Sequence, residues 1–168
     1  LYTARDPRLD SSWHWTIGLQ DLNEKFLKIL ADKNLEVIHA EIFKTNYFNR
    51  SWPIHIDADN GHGDVPKLNW VYGNRECPMI WYKLKDAHNR AREKTTATGT
   101  GYFDFDPDAV EEIARTFVGT PSIIQSGVPH TVENETNQNR WCVSIVVKKQ
   151  DQLLTFEQLV EEFKEYQI

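Results

Sequence analysis

The middle of the chain consists of short apolar and aromatic runs, each bounded by Gly, Pro, Asn or Asp. Such runs are typical of β-strands, whose side chains alternate between two faces. They predict strands at 36–48, 52–57, 67–72, 79–84, 100–105, 122–125, 130–133 and 140–147. Many short strands at this spacing favour an antiparallel barrel or a double-sheet jelly roll. A doubly wound α/β sheet is disfavoured, because strands and helices do not alternate through the middle of the chain.

Helix-start signals occur at three places. Asp21 begins a capping-box pattern, Asp106 precedes a proline at the first helical position, and Thr155 begins a second capping box. Each signal lies beside apolar residues at helical spacing: Leu22, Phe26, Ile29 and Leu30; Val110, Ile113, Ala114 and Phe117; Phe156, Leu159, Val160 and Phe163. We therefore expect a mostly β fold with flanking helices on one outer face, the last of them at about 155–166.

The composition is that of an ordinary globular protein, with 40% hydrophobic and 26% charged residues. A length of 168 residues fits one domain, 1–168, with a core of its own. The net charge of −6 and the absence of a Lys/Arg run do not suggest a nucleic-acid groove. No apolar stretch approaches the roughly 20 residues that span a bilayer, so no membrane contact is expected.

The cysteines are Cys77 and Cys142, too few for a disulfide framework in a chain of this length. A reducing, cytoplasmic location is the simpler interpretation. Neither cysteine belongs to a Cys-x-x-Cys pair, which argues against a thiolate zinc site.

The segment around His55 and Asp57 carries the first candidate chemistry. Residues two apart on a strand point the same way, so the imidazole and the carboxylate share a face. His130, at the start of a later predicted strand, is the best candidate for a third ligand. Two histidines and one carboxylate on one face of an octahedral ion leave three positions open, as in oxygen-activating non-haem iron(II) sites.

Arg140 begins a predicted strand ten positions after His130, and the residues between them form a turn-rich loop. That loop would return the strand beside His130, with Arg140, Cys142 and Ser144 on one face. A guanidinium on the inner wall of a barrel can bind a carboxylate with two hydrogen bonds, and Ser144 can donate another.

This combination resembles the iron(II)- and 2-oxoglutarate-dependent oxygenases, in particular small prolyl- or aspartyl-hydroxylase-like members from bacteria and phages. Besides His-x-Asp, the distal histidine and the arginine ten residues later, the likeness includes a Leu-Asn strand at 67–70 and an aromatic strand at 79–82. It covers about 36–148, the expected β core. A cytoplasmic location in a bacterium or a phage-infected host would follow from it.

The resemblance implies a double-stranded β-helix, the cupin-like form of the jelly roll. It also implies a dioxygenase that converts 2-oxoglutarate and dioxygen to succinate while it hydroxylates a C–H bond of a peptide or protein side chain or a small metabolite. The implied site residues are the iron ligands His55, Asp57 and His130, the co-substrate anchor Arg140 with Ser144, and two further co-substrate contacts, Asn69 and Tyr82.

Three alternatives remain open. Related aspartyl/asparaginyl hydroxylases bind iron through two histidines alone, so Asp57 could lie beside the metal without binding it. A cupin-like metalloenzyme without 2-oxoglutarate commonly needs a third histidine, for which His62 is the candidate. A jelly-roll binding module without catalysis would need no metal.

Two polar segments are expected to be loops. The segment 59–64, which contains Asp59 and His62, would cover the mouth of the cavity. The charged segment 83–98 is expected to be a solvated loop, with a substrate-facing lid as the alternative. His14, His39 and His88 have no partners at metal-ligand spacing, and we interpret them as structural or solvent-exposed.

Overall fold

A computed structural model describes residues 12–45, 53–57, 65–86, 91–95 and 101–166. Within these ranges the chain forms two six-stranded antiparallel sheets, so the fold is a β-sandwich. The strands are β1 (Ser12–Thr16), β2 (Leu35–Thr45), β3 (Ile54–Asp57), β4 (Pro66–Gly73), β5 (Pro78–Leu84), β6 (Arg92–Thr95), β7 (Gly101–Phe105), β8 (Val110–Phe117), β9 (Ser122–Gln125), β10 (His130–Val132), β11 (Arg140–Lys149) and β12 (Gln152–Leu153).

The strands alternate between the two sheets from β2 to β5 and again from β8 to β11. The first sheet has the order β1-β2-β11-β4-β9, and β12 pairs with β11. The second sheet has the order β6-β7-β3-β10-β5-β8. Strands that are distant in sequence therefore become neighbours, as β3 and β10 do in the second sheet and β2 and β11 do in the first.

All eight predicted strands are present, and the prediction of a mostly β fold is confirmed. Residues 46–48, 52 and 100, at the ends of three predicted strands, lie outside the described residues. The expectation of a solvated loop at 83–98 is wrong at Arg92–Thr95, which forms β6 against β7. The charges do not prevent this, because every residue of β6 is exposed at the sheet edge.

The prediction of a helix after Asp106 is wrong. Only a short 3-10 turn, Pro107–Ala109, follows, and the Asp106 side chain makes no capping hydrogen bond. The next residues form β8, which pairs antiparallel with β5 from Pro78 opposite Phe117 to Leu84 opposite Val110. Val110 is buried, but the rest of β8 is exposed, so the apolar residues at helical spacing form no buried helical stripe. Pairing with β5 outweighs the local helix signal.

The other two helix predictions are confirmed with adjusted boundaries. Helix α1 (Glu24–Asp32) is capped by Asn23, whose Oδ1 accepts from the backbone N of Lys25 at 2.9 Å, and not by Asp21. Asp21 instead accepts from the backbone N of Gly18 at 2.9 Å. Helix α2 (Phe156–Glu162) has the predicted capping box between Thr155 and Gln158, and a 3-10 turn, Lys164–Tyr166, follows it.

Both helices cover the outer face of the first sheet. Leu30 of α1 and Leu159 of α2 are buried in one cluster with Leu68 of β4 and Ile145 of β11. Because side chains alternate along a strand, the neighbours of Leu68 and Ile145 point the other way, into the space between the sheets. None of the helices in the described part of the chain is long and apolar enough to cross a membrane.

Candidate metal centre

Two neighbouring strands of the second sheet carry the predicted triad. His55 and Asp57 lie on β3, and His130 begins β10. His55 and His130 are direct antiparallel partners, so their side chains leave the same face of the sheet. Their ring centroids are 4.5 Å apart. One strand pairing thus brings together two histidines that are seventy-five positions apart in the sequence.

The donor atoms of the triad converge. The Nε2 atom of His55 is 3.7 Å from Oδ1 of Asp57, and Nε2 of His130 is 4.0 Å from Oδ2 of Asp57. One ligand atom from each of the three residues lies within 4.8 Å of the other two. Ligands about 2.1 Å from one ion at right angles are about 3 Å apart. A small inward movement of the side chains is therefore enough to coordinate a single ion.

The second nitrogen of each histidine fixes the orientation of its ring. The Nδ1 atom of His55 is 2.8 Å from the carbonyl oxygen of Pro53, and that of His130 is 2.8 Å from the carbonyl oxygen of Val128. With Nδ1–H as the donor, each Nε2 keeps a lone pair that points toward Asp57. Histidines that bind metals are oriented in this way.

Charge at the triad also suits a cation. Burial, followed by the neighbouring His55, lowers the pKa of His130 to about 4, although Asp57 opposes the shift. The His130 ring is therefore neutral near pH 7, as a metal ligand must be. Burial by itself raises the pKa of Asp57, but the nearby Lys67 outweighs it and holds that pKa well below its usual range. The carboxylate is therefore charged.

A cavity of about 90 Å³ lies between the sheets at the triad. The first sheet contributes polar residues from β4 and β11, namely Lys67, Asn69, Arg140 and Ser144. Apolar side chains complete much of the lining, among them Phe43, Met79 and Ile124. The candidate metal ligands and the candidate co-substrate anchor thus face one space from opposite sheets.

The polar residues of the first sheet hold buried atoms without partners. Asn69 and Ser144 are direct cross-strand partners on β4 and β11. Among the described residues, Oδ1 of Asn69, Nε of Arg140 and Oγ of Ser144 have no hydrogen-bond partner. Buried polar atoms are rarely left in this state, because each one costs free energy. These atoms therefore fit a polar ligand that enters the cavity.

Six of the seven predicted site residues line the cavity, and Tyr82 does not. Tyr82 lies on β5, where Met79 lines the cavity and the alternation directs Tyr82 to the opposite face. Burial, followed by Glu133, raises the pKa of Tyr82. The structure thus separates Tyr82 from the other six.

Lys67 lines the cavity but was not among the site residues predicted from the sequence. It stands in the Leu-Asn strand two positions before Asn69, so the alternation already placed both on one face. Its Nζ is 2.9 Å from Oδ2 of Asp57, across the space between the sheets. Burial lowers the pKa of Lys67, but the charge of Asp57 and the hydrogen bond to it outweigh burial, and the net shift is upward.

The remaining histidines do not join the triad in the described part of the chain. Nε2 of His39 lies 2.9 Å from Oε1 of Glu41, and His14 is on β1. His62 and His88 lie outside the described residues, as does the predicted loop at 59–64.

No protein-family model matches the sequence, and no curated protein matches it at a significant level. The resemblance to iron(II)- and 2-oxoglutarate-dependent oxygenases therefore stays a prediction. Support for a function comes from the chemistry of the cavity.

Proposed function

We propose that the protein is an iron(II)- and 2-oxoglutarate-dependent dioxygenase that hydroxylates a C–H bond of a peptide or protein side chain or a small metabolite. One observation carries the proposal. The convergent donors of His55, Asp57 and His130 share a cavity with Arg140, a buried guanidinium whose Nε has no hydrogen-bond partner among the described residues. A metal site with a cationic group nearby suits a co-substrate that chelates the metal through one end and carries a carboxylate at the other.

The strand order supports the proposed double-stranded β-helix. Without β1, β6, β7 and β12, eight strands remain, and the sheets are β2-β11-β4-β9 and β3-β10-β5-β8. Counted along the chain, these orders are 1-8-3-6 and 2-7-4-5, the arrangement of a double-sheet jelly roll. The ligands then lie on the second and seventh core strands, and Arg140 lies on the eighth.

The donor set fits iron(II). Two neutral imidazoles and one carboxylate are the ligands of the facial triad, which leaves three positions open on an octahedral ion. When bound, the iron supplies the oxygen activation that oxidises a C–H bond while 2-oxoglutarate is decarboxylated to succinate. The carbonyl oxygens of Pro53 and Val128 hold the two rings so that both Nε2 atoms would be available to the ion.

The co-substrate end of the cavity would be formed by β4 and β11. Arg140 would donate two charge-assisted hydrogen bonds to the distal carboxylate of 2-oxoglutarate, and Ser144 would donate a third. Asn69, the cross-strand partner of Ser144, has a buried Oδ1 that would accept from a donor on the ligand or on ordered water. Phe43, Met79 and Ile124 would exclude bulk water, which strengthens each of these contacts.

The test measures oxygen uptake and succinate formation with iron(II) and 2-oxoglutarate, in the wild type and in Arg140→Met. We expect succinate in proportion to oxygen consumed, and a 10- to 100-fold weaker apparent affinity for 2-oxoglutarate in the variant, because hydrogen bonds to charged groups contribute about 1.5–3 kcal/mol. Arg115→Met is the matched control, since Arg115 pairs with Glu112 and Glu133 away from the cavity.

Two outcomes would count against the proposal. Oxygen uptake without succinate would favour a cupin-like metalloenzyme that does not use 2-oxoglutarate. An unchanged affinity for 2-oxoglutarate in Arg140→Met would show that Arg140 is not the co-substrate anchor.

A further inference from the structure

Lys67 is a buried cation that the proposed reaction leaves without a role. It lies on β4, and only 13% of its side chain is exposed. Its ammonium reaches the triad from the opposite sheet and lies 2.9 Å from Oδ2 of Asp57. Among the described residues, Asp57 is the only carboxylate within ion-pair distance of Lys67.

The Lys67 ammonium occupies a position beside the carboxylate that would bind the metal ion. Oδ2 of Asp57 is the oxygen nearest to both Lys67 and Nε2 of His130. A divalent ion bound by Asp57 and His130 would lie close to the Lys67 ammonium, and like charges repel strongly in a poorly hydrated cavity. The two cations therefore compete for the charge of one carboxylate, and metal binding favours the release of Lys67 from it.

A released ammonium would need another anion. In the metal-free cavity, Asp57 balances Lys67, and the charge of Arg140 remains. Glu41, the other carboxylate whose charge acts on Lys67, lies 2.9 Å from Nε2 of His39. A bound divalent ion would add two positive charges to the cavity. A buried charge without a partner is strongly destabilising. A ligand with two negative charges would restore the original balance.

We propose that Lys67 couples the binding of the metal to the binding of a dicarboxylate: it pairs with Asp57 in the metal-free protein and with a carboxylate of the ligand once the metal has taken Asp57. The inference rests on the proposed function and adds to it a specific role for this chain's own cation. Arg140 and Lys67 then bind different carboxylates of one ligand, which favours dicarboxylates over monocarboxylates.

The experiment uses anaerobic calorimetric titration with Mn²⁺, which replaces iron(II) without turnover, and with 2-oxoglutarate. In Lys67→Met, we expect Mn²⁺ alone to bind about tenfold more tightly, because no cation competes for Asp57. We also expect 2-oxoglutarate to bind the Mn²⁺-loaded variant at least tenfold more weakly, because a charged hydrogen bond is lost. These opposite changes distinguish coupling from a structural role, which would weaken both steps.

Three further variants make the test more specific. Lys67→Arg keeps the positive charge. We expect metal binding to increase the affinity of this variant for 2-oxoglutarate nearly as much as it does in the wild type. Lys83→Met is the control, because Lys83 is exposed and pairs with Glu111 at 3.2 Å. In Lys67→Met/Arg140→Met, the losses in 2-oxoglutarate affinity should add if the two cations bind different carboxylates.

The outcomes separate this inference from the proposed function. If the wild type binds both ligands and Lys67→Met leaves both affinities unchanged, or weakens both, the coupling role is overturned and the proposed function stands. If the Mn²⁺-loaded wild type binds no 2-oxoglutarate, the proposed function fails and the inference fails with it.

Discussion

At His55 and His130, the same local arrangement prepares an imidazole for a metal. Each Nδ1 lies 2.8 Å from the carbonyl oxygen two residues earlier, so a short backbone segment fixes each ring. Pro53 and Pro129 lie in these segments and restrict the backbone next to each histidine. The sequence shows the prolines and histidines, but the carbonyl contacts become visible only in the folded structure.

His130→Gln should abolish measurable binding of Mn²⁺. The loss should exceed the 10- to 100-fold effect of removing an outer-shell partner, because a ligand itself is removed. Equilibrium dialysis with metal analysis measures the change. His39→Gln is the matched control, since His39 does not line the cavity. Equal Mn²⁺ binding by wild type and His130→Gln would show that the triad is not the metal site.

The thiols of Cys77 and Cys142 should react slowly in the folded protein. Both are about 2% exposed, and burial raises the pKa of each thiol although Arg140 opposes the shift. A raised pKa leaves less thiolate at pH 8 than in the unfolded chain, and the thiolate is the reactive form. Colorimetric thiol titration should count two thiols in urea and labelling on the scale of hours without it. Rapid native labelling at pH 8 would contradict this burial.

At the scale of elements, short apolar runs between turn residues predicted the strands well, whereas capping patterns and helical spacing predicted the helices less well. The strand of His55 and Asp57 was predictable from its flanking turn residues, and so was β11. The prediction of a helix after Asp106 was wrong because the apolar residues of β8 happen to follow helical spacing. That segment can be recognised as an edge strand only once its partner, β5, is known. The α1 cap shifted from Asp21 to Asn23 because both residue types suit a cap, and only the backbone conformation decides between them.

Thr155→Ala should lower the free energy of unfolding by about 1 kcal/mol, the usual cost of losing an N-cap side chain. Oγ1 of Thr155 accepts from the backbone N of Gln158 at 3.3 Å, and Oε1 of Gln158 accepts from the backbone N of Thr155 at 2.9 Å. Leu159, one turn later, is fully buried against the first sheet, so the cap supports part of the core. Urea denaturation measures the change. Thr155→Ser keeps the hydroxyl and should retain most of the stability; an equal loss in both variants would contradict the role of the cap.

At the scale of the whole molecule, the sandwich brings together residues that are far apart in sequence. His55 meets His130 through the pairing of β3 and β10, while Arg140 and Lys67 face them from the other sheet. Motif spacing was enough to suggest the triad and Arg140. The ion pair between Lys67 and Asp57 was not predictable, because it depends on the distance between two sheets whose separation no sequence pattern encodes.

Metal binding should stabilise the folded protein. A ligand that binds only the native state at 100 times its dissociation constant adds about 2.7 kcal/mol. For a chain of this size, that corresponds to a rise in Tm of roughly 5–11 °C. Differential scanning fluorimetry with Mn²⁺ should show the rise and its reversal by a chelator. The same rise in His130→Gln would place the binding site elsewhere.

The most direct test of the proposed function is anaerobic titration of the protein with iron(II) and then 2-oxoglutarate, followed by visible absorption. A 2-oxoglutarate chelate on iron(II) gives a weak metal-to-ligand charge-transfer band. We predict a band that requires both additions and is absent in His130→Ala. Bound iron(II) without any band on addition of 2-oxoglutarate would contradict the proposed co-substrate, and failure to bind iron(II) would contradict the metal centre itself.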